Sequence, residues 1–119
     1  MIKTEVLEIG KGAISQEEPL LIFFGKTATP ELKNVSIIQE IILEDGNYVI
    51  EKGDTVLIDD VNYKIVKVGS LATQQLKEFG HITMFFGENQ QEHEVASAIY
   101  LATNIVPDLK IGSTVTYCK

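Results

Sequence analysis

Residues Ile65–Phe86 read IVKVGSLATQQLKEFGHITMFF, a pattern that predicts strand, helix and strand in that order. Ile65, Val66 and Val68 are β-branched, which suits a pleated backbone, and they run into Gly69. The Ser70 hydroxyl suits the orphan N–H groups of a first helical turn and predicts an N-cap there. Leu71, Ala72, Leu76 and Phe79 fall on one side of a short helix over 70–79, with Gln74, Gln75, Lys77 and Glu78 toward water. Gly80 suits the left-handed residue that closes a helix, and the chain resumes as a strand over Ile82–Phe86. His81, one of two histidines in the chain, is thereby set at the turn between helix and strand. An imidazole in that place is a candidate phosphoryl acceptor or general base. It equally suits a C-terminal cap that donates to free helix carbonyls.

Outward from this stretch the chain is mostly short β-type segments. Strands are expected at Lys3–Ile9, Pro19–Phe24, Val35–Leu43, Tyr48–Ile50, Thr55–Ile58, Tyr63–Val68, Ile82–Phe86, Val95–Ala102 and Ser113–Cys118. Turn residues separate them at 44–47, 52–54 and Asp59-Asp60, where Asp and Asn bond to nearby backbone and Gly accepts positive φ. No Pro/Gly/Ser-rich linker divides the chain, so residues 1–119 are expected to form one domain.

The segments also repeat. Val6–Gly10 resembles Ile65–Gly69, with Ala13 and Ala72 following each glycine by the same step. Leu21–Gly25 resembles Thr83–Gly87, and Lys52–Val56 resembles Lys110–Val115 when Gly53 is set on Gly112. Three matches in one order predict two similar β-rich halves, closing on each other as a small closed or near-closed all-β barrel with one short helix. The first-half counterpart of that helix, over 11–18, has less apolar surface and predicts at most one turn. Edges left exposed between the halves would permit a homodimer.

Composition excludes several classes. The formal net charge of −7 argues against nucleic acid, which needs a basic face. All ten basic residues are lysines, so no bidentate guanidinium clamp exists in the chain itself. No apolar run approaches the roughly 20 residues of a membrane span, and the start MIKTEVLEIG lacks the features of a signal peptide. A cytoplasmic protein without direct membrane insertion is therefore expected, in keeping with the single Cys118.

Other candidate chemistry is thin. His93, between Glu92 and Glu94, reads as a loop residue. His81 and His93 lack metal-ligand spacing and Cys118 has no thiolate partner, so no metal and no cofactor is expected. Cys118 reads as an end-strand thiol, Glu44-Asp45 and Asp59-Asp60 as turn residues. Gly10-Lys11-Gly12 is too short for a nucleotide loop.

The residues do match a family pattern. Val68-Gly69-Ser70-Leu71-Ala72, then Leu76, then Gly80-His81-Ile82-Thr83 resembles the V-G-S-x-A…L-x-x-x-G-H-[IV]-T signature of the glucitol/sorbitol-specific IIA components of the bacterial sugar phosphotransferase system (PTS). Thr29-Pro30-Glu31-Leu32, Gly53-Asp54 and Val106-Pro107-Asp108 with Gly112-Ser113 extend the resemblance over nearly the whole chain. It implies a small barrel acting as a cytoplasmic phosphocarrier. Such a protein takes a phosphoryl group from the carrier protein HPr onto a histidine and passes it to a IIB component, which phosphorylates sorbitol entering through the membrane IIC component.

The resemblance also exposes a departure. The family's phosphohistidine position, in a strand after the Pro-x-x-Leu region, aligns with Gln39, and an amide has no nucleophilic nitrogen. Tyr100 is expected at the comparable place in the second half. Four readings stay open on the sequence: His81 is the acceptor; the protein is an unphosphorylated regulatory relative; the local alignment is shifted; or the chain is an unrelated small barrel that binds a ligand.

Overall fold

The computed structural model describes residues 1–14, 19–87 and 95–119. Eight strands form the fold: β1 (Ile2–Ile9), β2 (Leu20–Phe24), β3 (Ile37–Glu44), β4 (Thr55–Ile58), β5 (Val61–Val68), β6 (Ile82–Phe86), β7 (Ala98–Leu101) and β8 (Thr114–Cys118). They close into a barrel in the order β1-β3-β2-β6-β7-β5-β4-β8. Two short helices accompany them, α1 (Pro30–Asn34) and α2 (Ala72–Phe79). Among the described residues no helix is long and apolar enough to cross a membrane.

The two halves expected from the repeat are present. Replacing β1 to β4 by β5 to β8, and the reverse, returns the same ring read backwards. The pairings agree: β2–β3 and β6–β7 are the two parallel contacts, and β1–β3 matches β5–β7 as antiparallel. Hydrogen bonds match residue by residue. Gly10 N–H donates to Ser36 O (2.9 Å) and Gly12 N–H to Asn34 O (2.8 Å); Gly69 N–H donates to Ala98 O (2.7 Å) and Leu71 N–H to Ala96 O (2.8 Å). At both glycines the facing backbone leaves no room for a Cβ, which would lie 2.1 Å from Lys33 O at Gly10 and 2.4 Å from Ala96 O at Gly69. That close approach is why glycine stands at the end of each equivalent strand. Each strand in the closed ring has two neighbours, so the edges of the two halves pair with each other within the barrel.

Eight strands leave an interior that side chains can fill. Val6, Leu21, Phe23, Ile37, Val56, Ile65, Phe86, Ile99, Val115 and Tyr117 do so, each essentially inaccessible to solvent. Ala72 and Leu76 turn from α2 into the same core, and Ala13 occupies it from the first half. A smaller cluster lies apart from it, where Phe85 stacks on Tyr100 at 5.1 Å between ring centroids.

Several local expectations change. Ser70 does not cap α2: Leu71 is the N-cap residue and no side chain bonds there. Backbone acceptors already take the N–H groups, Ala96 O that of Leu71 and Gly69 O that of Ala72. Leu71 and Phe79 are exposed, and only Ala72 and Leu76 are buried on the helix. The helix α1 was not expected beside the one at 70–79. Thr29 Oγ1 accepts from Leu32 N–H (3.3 Å) and Pro30 sits in the first turn, a sound start signal. Val35 ends α1, donating to Leu32 O, which delays β3 to Ile37. Tyr48–Ile50 joins no ladder, because Ile50 N–H donates to Thr73 Oγ1 (3.0 Å) instead of to a strand. The turn expected over 11–18 falls partly outside the described residues.

Candidate functional site

Three segments meet beside His81. The end of β2 supplies Phe23, Phe24 and Gly25; the α2–β6 junction supplies Phe79, Gly80 and His81; β3 supplies Gln39. Gly80 closes α2 as the sequence predicts, at φ 66°, with its N–H on Leu76 O (2.9 Å) and His81 N–H on Gln75 O (3.2 Å). These backbone bonds take Gln75 O and Leu76 O, and the imidazole itself bonds to no helix carbonyl, so it is not the cap. The ring turns instead to β2, where Nδ1 lies 3.1 Å from Phe23 O and the plane stacks on Phe24 at 4.1 Å and 14°. A carbonyl only accepts, so this bond calls for the proton on Nδ1, and in the neutral ring that tautomer has its lone pair on Nε2. Gly25 N–H donates to Phe79 O (2.9 Å) and joins the two segments behind the ring.

Gln39 is buried at 1% exposure and bonded at both ends of its amide. Thr4 Oγ1 donates to Oε1 (2.7 Å), and Nε2 donates to Gly80 O (2.9 Å). Gln39 also lines an open groove of about 280 Å³, together with Lys26, Glu40, Glu78, Phe79 and Gly80. Lys26 and Glu40, both in its wall, form an ion pair at 3.2 Å. The structure thus brings Gln39 and His81 together through Gly80, although they lie far apart in the chain. Gly80, the residue before His81, and Gln39 both form part of the groove wall.

The register settles which second-half residue corresponds to Gln39. Val6 faces Gln39 and its repeat partner Ile65 faces Leu101, so the counterpart is Leu101, not Tyr100. The bulge just after Val6 recurs just after Ile65, so it is common to both halves. What differs is the spacing to the paired strand, since Ser36 answers to Ala98 and Asn34 to Ala96, three residues further on than Gly10 to Gly69.

The remaining candidates separate from this cluster. His93 lies outside the described residues. Cys118 is a partly exposed free thiol in β8 opposite Thr55. Asp45 pairs with the N-terminal amine, and Asp59 accepts from Ser113 Oγ (2.9 Å) and Thr114 N–H (3.1 Å), so both act as turn anchors. Among the described residues no group of three His, Cys, Asp or Glu is arranged to hold a metal ion.

A second polar cluster involves Tyr48, Asp54 and Lys119. Tyr48 Oη donates to Asp54 Oδ2 (2.7 Å), as do Glu51 N–H (2.9 Å) and Lys119 Nζ (3.4 Å). Burial pushes the Asp54 carboxyl upward, but the bonds from Tyr48, Glu51 and Lys119 outweigh it and hold the group below its ordinary range. Burial, then the Asp54 bond, raises the Tyr48 hydroxyl far above its usual value. With a charged carboxylate fixed by three donors, this cluster is a clasp on the 48–54 turn.

Sequence reasoning missed Thr4, Phe24 and Lys26 as neighbours of the site. Phe24 alone carried a signal, since it precedes a glycine in the repeated Phe-Phe-Gly segment.

The model of the family described as "PTS system glucitol/sorbitol-specific IIA component" matches residues 1–116. A crystal structure of a PTS system IIA component from Enterococcus faecalis V583 is similar at a TM-score of 0.89 and 35% identity, over 98% of this chain and 99% of that one. No curated protein matches the chain.

Proposed function

Because the chain belongs to the PTS glucitol/sorbitol-specific IIA component family, we propose that it is a cytoplasmic phosphocarrier that relays a phosphoryl group from phospho-HPr to a IIB component, with His81 as acceptor. The observation that carries this reading is the bond between His81 Nδ1 and Phe23 O, which leaves Nε2 as the nucleophilic nitrogen. The Nε2 lone pair attacks phosphorus in line with the HPr nitrogen. One P–N bond forms as the other breaks, and the bonding pair returns to the HPr imidazole. The His81 ring gains positive character, which the Phe23 carbonyl stabilises through Nδ1–H. The reverse polarity then suits departure of the phosphoryl group to a IIB cysteine. Lys26 supplies a cation in the groove wall, and HPr would supply further charge.

The test is transfer. The protein is incubated with enzyme I, HPr and labelled phosphoenolpyruvate, then chased with a IIB domain. Acid-labile, base-stable label that moves to IIB is expected, and a protein left unlabelled beside phosphorylated HPr refutes the reading.

Gln39 favours a second reading, a IIA-like regulatory binding protein without phosphoryl transfer. Its buried amide makes both its bonds to the protein and has no nucleophilic nitrogen. On that reading wild type stays unlabelled, IIB binding persists, and Gln39→His gains phosphorylation.

A further inference from the structure

We propose that Gln39 is a positioning residue for His81, fixing the Gly80–His81 peptide and, through it, the imidazole that presents Nε2. This rests on the reading of His81 as acceptor.

The peptide between Gly80 and His81 is held from both sides. Its carbonyl accepts from Gln39 Nε2 (2.9 Å) and its N–H donates to Gln75 O (3.2 Å). The Gln39 amide has one workable orientation. Turned over, Oε1 would face the Gly80 oxygen and the pair would repel; as it stands, Thr4 Oγ1 donates to Oε1 (2.7 Å) and the NH₂ faces Gly80. Thr4 is fully buried, so water does not replace it.

Gly80 is confined on its other side as well. A Cβ there would lie 3.0 Å from Gly25 Cα and N, so the junction has no slack toward β2. Gln39 presses from β3, Gly25 holds from β2, and the ring closes the arrangement through Phe23 O and Phe24. Without the Gln39 donor the Gly80 carbonyl is left part-buried and unpaired, and its peptide rotates to find another partner. The imidazole, borne by the next Cα, turns with it.

Attack on phosphorus needs alignment, and a misplacement of about 1 Å costs roughly 100-fold in rate. Gln39→Met keeps the length and loses both amide bonds. Thr4→Val keeps the shape and loses only the bond that orients the amide. The ring nitrogens of His81, assigned by their loss in His81→Gln, are followed by nitrogen-15 NMR on the full chain, and phosphoryl acceptance from phospho-HPr is timed in parallel.

Wild type is expected to show one dominant Nδ1–H tautomer. Gln39→Met is expected to show the Nε2–H tautomer emerging and acceptance slowed by roughly 10- to 100-fold, with Thr4→Val between the two. A folded Gln39→Met protein with unchanged ring signals overturns the proposal. Should that variant fail to fold, unchanged signals in Thr4→Val overturn it equally. If wild type takes no phosphate yet the ring signals shift in Gln39→Met, the positioning stands and the acceptor reading falls.

Discussion

Gly69→Ala should be among the most damaging single-methyl additions to this protein. The new Cβ would sit 2.4 Å from the carbonyl oxygens of both Val95 and Ala96, whereas ordinary contact begins near 3.4 Å. The backbone must therefore separate by about 1 Å, which strains the bonds from Gly69 N–H to Ala98 O (2.7 Å) and from Leu71 N–H to Ala96 O (2.8 Å). Overpacking costs about 1–3 kcal/mol, and losing one of these two backbone pairs adds about 1–3, so roughly 2–6 kcal/mol is expected. Gly10→Ala should fall in the same class, its Cβ lying 2.1 Å from Lys33 O. Gly53→Ala is the control: it has φ +95° but open space around the site, and should cost only about 1–2 kcal/mol. Urea unfolding with linear extrapolation measures all three. Gly10→Ala or Gly69→Ala costing less than Gly53→Ala would refute the reasoning.

Two further predictions concern stability. Asp54 has a folded-state pKa below its ordinary 3.8, so its contribution is complete above that value and fades as pH falls through the lower one. Tyr48→Phe removes one donor and should cost about 1.5–3 kcal/mol at neutral pH. That gap to wild type should narrow in acid, and a gap independent of pH would count against the clasp. Leu76→Ala, at a fully buried position on α2, should cost about 2–5 kcal/mol in thermal or urea unfolding; a loss under about 1 kcal/mol would mean that α2 is not part of the core.

The barrel and its two halves were legible because the repeat is written in residues that backbone geometry demands. Gly10 and Gly69 mark close approach, Gly53 and Gly112 share φ 95°, and β-branched runs lie between them. The same local reading placed Gly80 at the end of α2. It failed where long-range partners replaced local ones. Ser70 was displaced as a cap by backbone from 95–98, and Tyr48–Ile50 bonds to a helix side chain rather than to a strand. The two halves differ in the spacing between their paired strands, and only the register shows that Leu101 rather than Tyr100 answers to Gln39. The union of Gln39 with His81 could not be read locally, because β3 and the α2–β6 junction meet only once the ring closes.

The central claim is that His81 Nε2 accepts the phosphoryl group, and phosphorus NMR of the protein mixed with enzyme I, HPr and phosphoenolpyruvate tests it most directly. A nitrogen-linked phosphate signal on Nε2, absent from His81→Gln, is predicted. No such signal beside phosphorylated HPr, or one that survives in His81→Gln, would contradict it.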